Sequence, residues 1–122
     1  MLNLDTYVFV RAVAGTLSEG EIDVLAGEAW SISAIVLWEI ERLRKSRIIR
    51  YGLDDEIVTG MLAGTRVWPI TPAVCVAMRQ LDFESDPADE LIAATSIVFN
   101  VPLLTRDRDM SASRVVPVAL RY

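Results

Sequence analysis

Apolar positions along this chain fall into short blocks separated by longer stretches of helical spacing. Residues 1–4, with Leu2 and Leu4, are long enough only for a strand. Thr6–Ala14 repeats at helical intervals and stops at Gly15. Ser18 opens a second helical stretch, with Glu21 three residues on as its capping-box partner. Trp30–Ser33 reads as a second strand, 34–46 as a helix, 54–63 as a weaker helix and 66–70 as a third strand. Pro72 starts a helix over 72–81, and Asp86-Pro87 starts a long one reaching Asn100, with aspartate as cap and proline in the first turn. Residues 101–104 and 114–118 complete the pattern as a fourth and a fifth strand.

Strands that alternate with helices pair in parallel through right-handed crossovers. The expected fold is therefore α/β: a three-layer sandwich whose central, mostly parallel sheet has about five short strands flanked by helices. One domain over residues 1–122 accounts for the whole pattern, with no repeat or linker-like tract. In open parallel sheets ligands gather beyond the carboxyl ends of the strands, so chemistry-bearing side chains are sought there.

Composition narrows that chemistry. At 52% hydrophobic residues and a mean hydropathy of +0.36, the 122 residues can bury one core. The chain has no histidine and one cysteine, Cys75. Histidine-dependent nucleophilic catalysis, histidine-bound zinc, thiolate-rich zinc and an internal disulfide are excluded. Any hydrolysis must run on carboxylates, with a hard metal ion held by oxygen. A net charge of −5 argues against coating nucleic acid wholesale but leaves room for a local basic patch. The amino terminus lacks the basic start of a signal peptide, and no apolar run approaches the ~20 residues of a membrane span, so a cytoplasmic protein is expected.

Four acids stand out. Asp5 follows the first strand and also suits the cap of the next helix. Glu39 falls within the apolar stripe of Ile35, Val36, Ile40 and Leu43, where a carboxylate needs a cation, a donor or a proton, or else an ion pair with a nearby arginine. Asp89 lies in the first turn of a helix apolar on almost every side, with Asp86 as its cap and Glu90 solvated. Asp107 comes just after the fourth strand, beside Thr105, and equally suits a turn, as does Asp109. Parallel topology can bring all four to one rim. Two like charges ~4 Å apart repel by ~4 kcal/mol at an effective dielectric of ~20, so clustered acids take up protons or bind a divalent cation. Oxygen donors alone select Mg²⁺ or Mn²⁺.

Leu4-Asp5-Thr6, Ile32-Ser33-Ala34 with Trp38-Glu39-Ile40, Asp86-Pro87-Ala88-Asp89 with Leu91-Ile92-Ala93-Ala94-Thr95, and Leu103-Leu104-Thr105-Arg106-Asp107 occur in an order that resembles PIN-domain ribonucleases. Within that family the chain looks like the toxin of a VapBC-type toxin–antitoxin pair. The resemblance implies a Mg²⁺- or Mn²⁺-dependent endoribonuclease acting on structured RNA such as tRNA or rRNA. It also implies a homodimer, neutralised by a cognate antitoxin whose tail fills the active-site groove. On the matching positions Asp5, Glu39, Asp89 and Asp107 become the catalytic, metal-binding acids, Asp5 and Asp89 directly. Thr6 and Thr105 orient those carboxylates. Tyr7 and Glu90 depart from residues common in relatives and bear on the choice of RNA.

Arg42, Arg44, Lys45, Arg47 and Arg50 place five of twelve basic residues within nine positions after Glu39. With Arg106 and Arg108 they are candidates for a phosphate-holding rim, or else a solvated helix face. Tyr7, Phe9, Val10 and Trp30 are candidates for a dimer surface or for core. Two other classes fit the fold. A phosphoacceptor domain needs an acidic pair after the first strand and a late lysine, whereas Asp5 stands alone and Lys45 is the only lysine. A catalytically weak PIN-like scaffold, binding protein or RNA, is the remaining alternative.

Overall fold

Strand β1 (Leu2–Leu4) is buried along its whole length because it pairs in parallel on both sides. The computed structural model describes residues 1–121. Leu2 and Asn3 stand opposite Trp30 and Ser31 of β2 (Trp30–Ser33), while Asn3 and Leu4 stand opposite Leu103 and Leu104 of β4 (Leu103–Leu104). Strand β3 (Thr65–Trp68) pairs in parallel with β2 at the outer edge, giving the order β3-β2-β1-β4. The chain thus builds outward from β1 on one side, then returns to β1's other side. That reversal is a topological switch point, and it lies between β1 and β4.

Strands β1 and β2 hand their carboxyl ends to a helix through little more than a cap. Asp5 alone separates β1 from α1 (Thr6–Ala14), and Ser33 caps α3 (Ala34–Lys45) directly after β2. The reciprocal capping box of Ser18 and Glu21 opens α2 (Glu19–Leu25). Helix α3 ends one residue earlier than expected, in a Schellman turn: Ile48 N–H donates to the Leu43 carbonyl at 2.9 Å, and Arg47 takes φ 60°. Helices α4 (Glu56–Ala63) and α5 (Pro72–Ala77) follow, then α6 (Pro87–Phe99), capped by Asp86. Phe9, Leu4, Ile32, Ile40, Ile92, Leu103, Leu104 and Met110 are fully buried and form the main core. A smaller cluster of Val74, Ala77 and Ala94 joins α5 to α6.

Several boundaries differ from the sequence reading. The fifth strand, expected over 114–118, shrinks to one parallel bridge between Leu103 and Val118. Pro117 has no N–H to donate, and the N–H groups of Val115 and Val116 turn to the Ser113 hydroxyl at 3.2 and 3.1 Å. Strand β3 ends at Trp68 because Pro69 cannot extend the ladder. The helix begun at Pro72 tightens after Ala77 into a 3₁₀ turn, Met78–Gln80. A short helix, α7 (Arg108–Ser111), forms where only a turn was expected. Phe9 is wholly buried and belongs to the core, not to a dimer surface. Among the described residues no helix is long and apolar enough to cross a membrane.

Candidate active site

Four separate segments deliver acids to one cleft of about 380 Å³ at the carboxyl rim of the sheet. Asp5, Glu39, Asp86, Asp89 and Asp107 line it together with Tyr7, Arg11, Arg42 and Arg106. All four acids singled out from the sequence are therefore brought together, joined by Asp86.

Asp5 is both a helix cap and a wall of this cleft. It accepts the Thr6 N–H at 2.8 Å and the Thr105 hydroxyl at 2.6 Å. Burial pushes its pKa from the usual 3.8 to about 6, with the Glu39 and Asp107 charges adding to the rise and the two hydrogen bonds opposing it. Glu39 is 6% exposed on the inward stripe of α3, accepts the Thr6 hydroxyl and meets Arg42 at 3.5 Å. Both of its expected partners, a donor and an arginine, are present.

Asp89 sits half-buried on the first turn of α6. Its backbone N–H donates to Asp86 Oδ1 at 3.1 Å, and its Oδ2 accepts the Ser85 hydroxyl at 2.8 Å. Partial burial, with the charges of Asp5, Asp86 and Glu39, lifts its pKa to about 7, while the Ser85 bond opposes the rise. Asp107 caps α7 by accepting the Met110 N–H at 3.0 Å, and its own N–H donates to Thr105 Oγ1 at 3.1 Å. Thr6 and Thr105 thus each donate a hydroxyl to a carboxylate of the cleft.

Asn3, which nothing in the sequence pattern marked, fixes the distance between two of these acids. It is fully buried in β1, two residues before Asp5, and its Nδ2 donates to the Ile92 carbonyl at 3.1 Å and to Ser96 Oγ at 2.8 Å. Ile92 lies one turn after Asp89, so this amide clamps α6 to β1 next to both carboxylates. Its Oδ1 and the indole Nε1 of Trp68 are buried polar atoms without a hydrogen-bond partner among the described residues.

The basic candidates separate. Arg42 and Arg106 reach the cleft, whereas Arg44, Lys45, Arg47 and Arg108 do not line it. Arg44 and Lys45 lie five and six residues beyond Glu39, about 7.5–9 Å along α3 away from the rim. Arg106 forks onto the fully buried Glu21, with Nε donating to Oε2 at 2.7 Å, so its guanidinium is committed to the fold. Arg11 was missed. Its signal was its place one helical turn after Tyr7, on the face of α1 away from Val8 and Phe9.

A divalent ion is compatible with this donor set. The acids offer oxygen alone, and the raised pKa values of Asp5 and Asp89 record buried charge that a cation would neutralise. Among the described residues, however, no three carboxylates stand as a ready-made cation-binding group. Asp5, Glu39 and Asp107 are each turned to hydrogen-bond donors of the protein itself.

A parallel α/β sheet carrying a carboxylate cleft at its switch point defines a class of ligand-binding α/β domain. Within that class the assignment is specific: the family model of the PIN domain, a family of nucleases, matches residues 3–115, and the chain belongs to that family. No curated protein sequence matches the chain. Among solved structures, it is similar to a chain of VapBC2 from Rickettsia felis bound to a DNA fragment from its promoter, with 18% identity, 97% of each chain covered and a TM-score of 0.73. It is also similar to a chain of a toxin–antitoxin complex from Klebsiella pneumoniae, with 16% identity, 100% of each chain covered and a TM-score of 0.72.

Proposed function

We propose that this chain is a Mg²⁺- or Mn²⁺-dependent endoribonuclease, the toxin of a type II toxin–antitoxin pair, acting on structured RNA in the cytoplasm. One observation carries the reading: acids from four distant segments line a single cleft, and two of them hold protons at pH values where exposed carboxylates are fully ionised. Asp5 and Asp89 are the direct ligands in this reading, with Glu39 and Asp107 ligating through water or placing the attacking water. When bound, the cation polarises the scissile phosphodiester and lowers the pKa of water.

The chain's own groups do the rest. Thr105 and Thr6 hold Asp5 and Glu39 in place through hydroxyl donation, so neither carboxylate reorients as charge develops. Arg42 and Arg11 supply the positive side of the cleft and hold the phosphate backbone against acids that repel it. The two similar structures described above are toxin–antitoxin assemblies, which supports a VapB-like antitoxin as the partner that closes this cleft. A homodimer completes the proposal.

The test is cleavage of total RNA with Mg²⁺ or Mn²⁺ and with EDTA. Cleavage that needs the metal and disappears in Asp5→Asn supports the reading. Cleavage that survives Asp5→Asn, or proceeds in EDTA, overturns it.

A further inference from the structure

Trp38 precedes Glu39 on α3, and the helical turn of ~100° per residue carries it off the buried stripe. It remains 57% exposed, although an indole of that size ordinarily buries its ring. Arg42, one turn further on, lays its guanidinium over the ring at 5.4 Å from the centroid and also reaches Glu39. A single arginine therefore links an exposed aromatic face to the acidic cleft.

A second cleft of about 330 Å³ opens here, between Trp38, Glu39 and Arg42 of α3 and Asp86, Pro87 and Ala88 at the start of α6. Glu39, Arg42 and Asp86 line both clefts, so the two share a wall. Away from that wall the side cleft is made of an indole, a proline ring and a methyl group. These are flat or small, mainly apolar surfaces, and the indole N–H of Trp38 is the one side-chain donor they carry. Glu39 and Asp86 repel phosphate, so a phosphate in this cleft belongs against Arg42 and the apolar end is left for a ring.

We propose that this side cleft is a subsite for one unpaired nucleobase of the RNA, stacked on Trp38 beside Pro87, with the adjoining phosphate on Arg42. The inference rests on the nuclease reading and adds where the nucleotide next to the cut is held. Stacking is indifferent to base identity, so the subsite selects an unpaired base rather than a sequence.

The experiment measures Mg²⁺-dependent cleavage of an RNA hairpin with an unpaired loop, and binding of the same hairpin in EDTA, for the wild type, Trp38→Ala and Trp38→Phe. Trp38→Ala should raise KM and weaken binding roughly tenfold while kcat stays within about twofold, and Trp38→Phe should recover most of the loss. An abasic ribose at one loop position should cost the wild type a similar factor and cost Trp38→Ala nothing further. Wild-type KM and affinity in Trp38→Ala overturn the subsite. So does an abasic penalty that persists in Trp38→Ala, or an RNA response that is unchanged while inhibition by a protein partner weakens. Trp38-dependent binding without any cleavage would instead sink the nuclease reading and leave the subsite standing.

Discussion

The hydroxyl of Thr105 donates to Oδ2 of Asp5 at 2.6 Å, although 100 residues separate them in sequence. Asp5 follows β1 and Thr105 follows β4, so this one bond spans the switch point of the sheet. The same oxygen of Thr105 accepts the Asp107 N–H, which ties a second acid of the cleft to the first.

Replacing Thr105 with valine keeps the shape and deletes both bonds. The side chain is fully buried, so Asp5 and the Asp107 N–H each lose a partner that water cannot readily replace, at about 1–3 kcal/mol of stability. Metal-dependent activity should fall about 10–100-fold, the range seen when a carboxylate loses its orienting partner. Thr105→Ser keeps the hydroxyl and should stay near wild type. Equal activity of Thr105→Val and wild type would remove the hydroxyl from the mechanism.

Asn3 makes a similar argument for α6. Asn3→Ala removes both donations to α6 and leaves a small gap beneath it, so the melting temperature should drop by an amount corresponding to about 1–3 kcal/mol. Because the amide clamps the helix that carries Asp89, activity should fall at temperatures where the variant is still fully folded. Full activity per folded molecule would show that the clamp serves stability alone.

How much of this was legible follows from the range of each interaction. The caps at Ser18 and Asp86 were readable because donor and acceptor lie within three residues. The rim acids were readable because each follows a recognisable element boundary and Glu39 breaks an apolar stripe. The pairing of Arg106 with Glu21 was not readable because the two lie 85 residues apart and only the local capping role of Glu21 shows in the sequence. The fifth strand was over-read because a short valine-rich run does not reveal that Ser113 takes the N–H groups a ladder would need. Asn3 was silent for the same reason: a polar residue inside a strand gives no hint of which helix it will hold.

The cleft acids set the pH dependence. Asp5 and Asp89 have folded pKa values of about 6 and about 7, above the ordinary 3.8, so the folded protein binds more protons than the unfolded chain in that window. Metal-free stability is therefore greatest near pH 4 as far as these groups decide, and falls as pH rises through 6 to 7. Asp5 alone accounts for about 3 kcal/mol by linkage, and half-exposed Asp89 adds less than its shift suggests. Asp82, whose pKa is lowered by the Ser113 hydroxyl and the Arg114 N–H, acts only below its ordinary 3.8 and outside this window. A divalent ion binds the ionised acids, so millimolar Mg²⁺ should leave the melting temperature unchanged near pH 5 and raise it increasingly above pH 7. Asp89→Asn should raise metal-free stability at pH 8 and erase the Mg²⁺ response. A metal-free melting temperature that climbs from pH 5 to 8 would contradict the assignment.

Two arginines of the same cleft should fail in different ways. Arg42 is half-exposed, and its contacts are a long ion pair with Glu39 and the face of Trp38. Arg42→Ala should change stability by under about 1 kcal/mol, weaken RNA binding and reduce the slope of log affinity against log salt by about one contact. Arg106 instead neutralises Glu21, which is wholly buried. Arg106→Ala strands that charge and should destabilise the protein by about 3–5 kcal/mol. The double variant Arg106→Ala, Glu21→Leu removes the stranded charge and should recover much of that loss, because a buried pair often does no better than apolar residues of similar size. Urea denaturation separates the cases: a single Arg106→Ala variant as stable as Arg42→Ala would return Arg106 to the phosphate-holding rim.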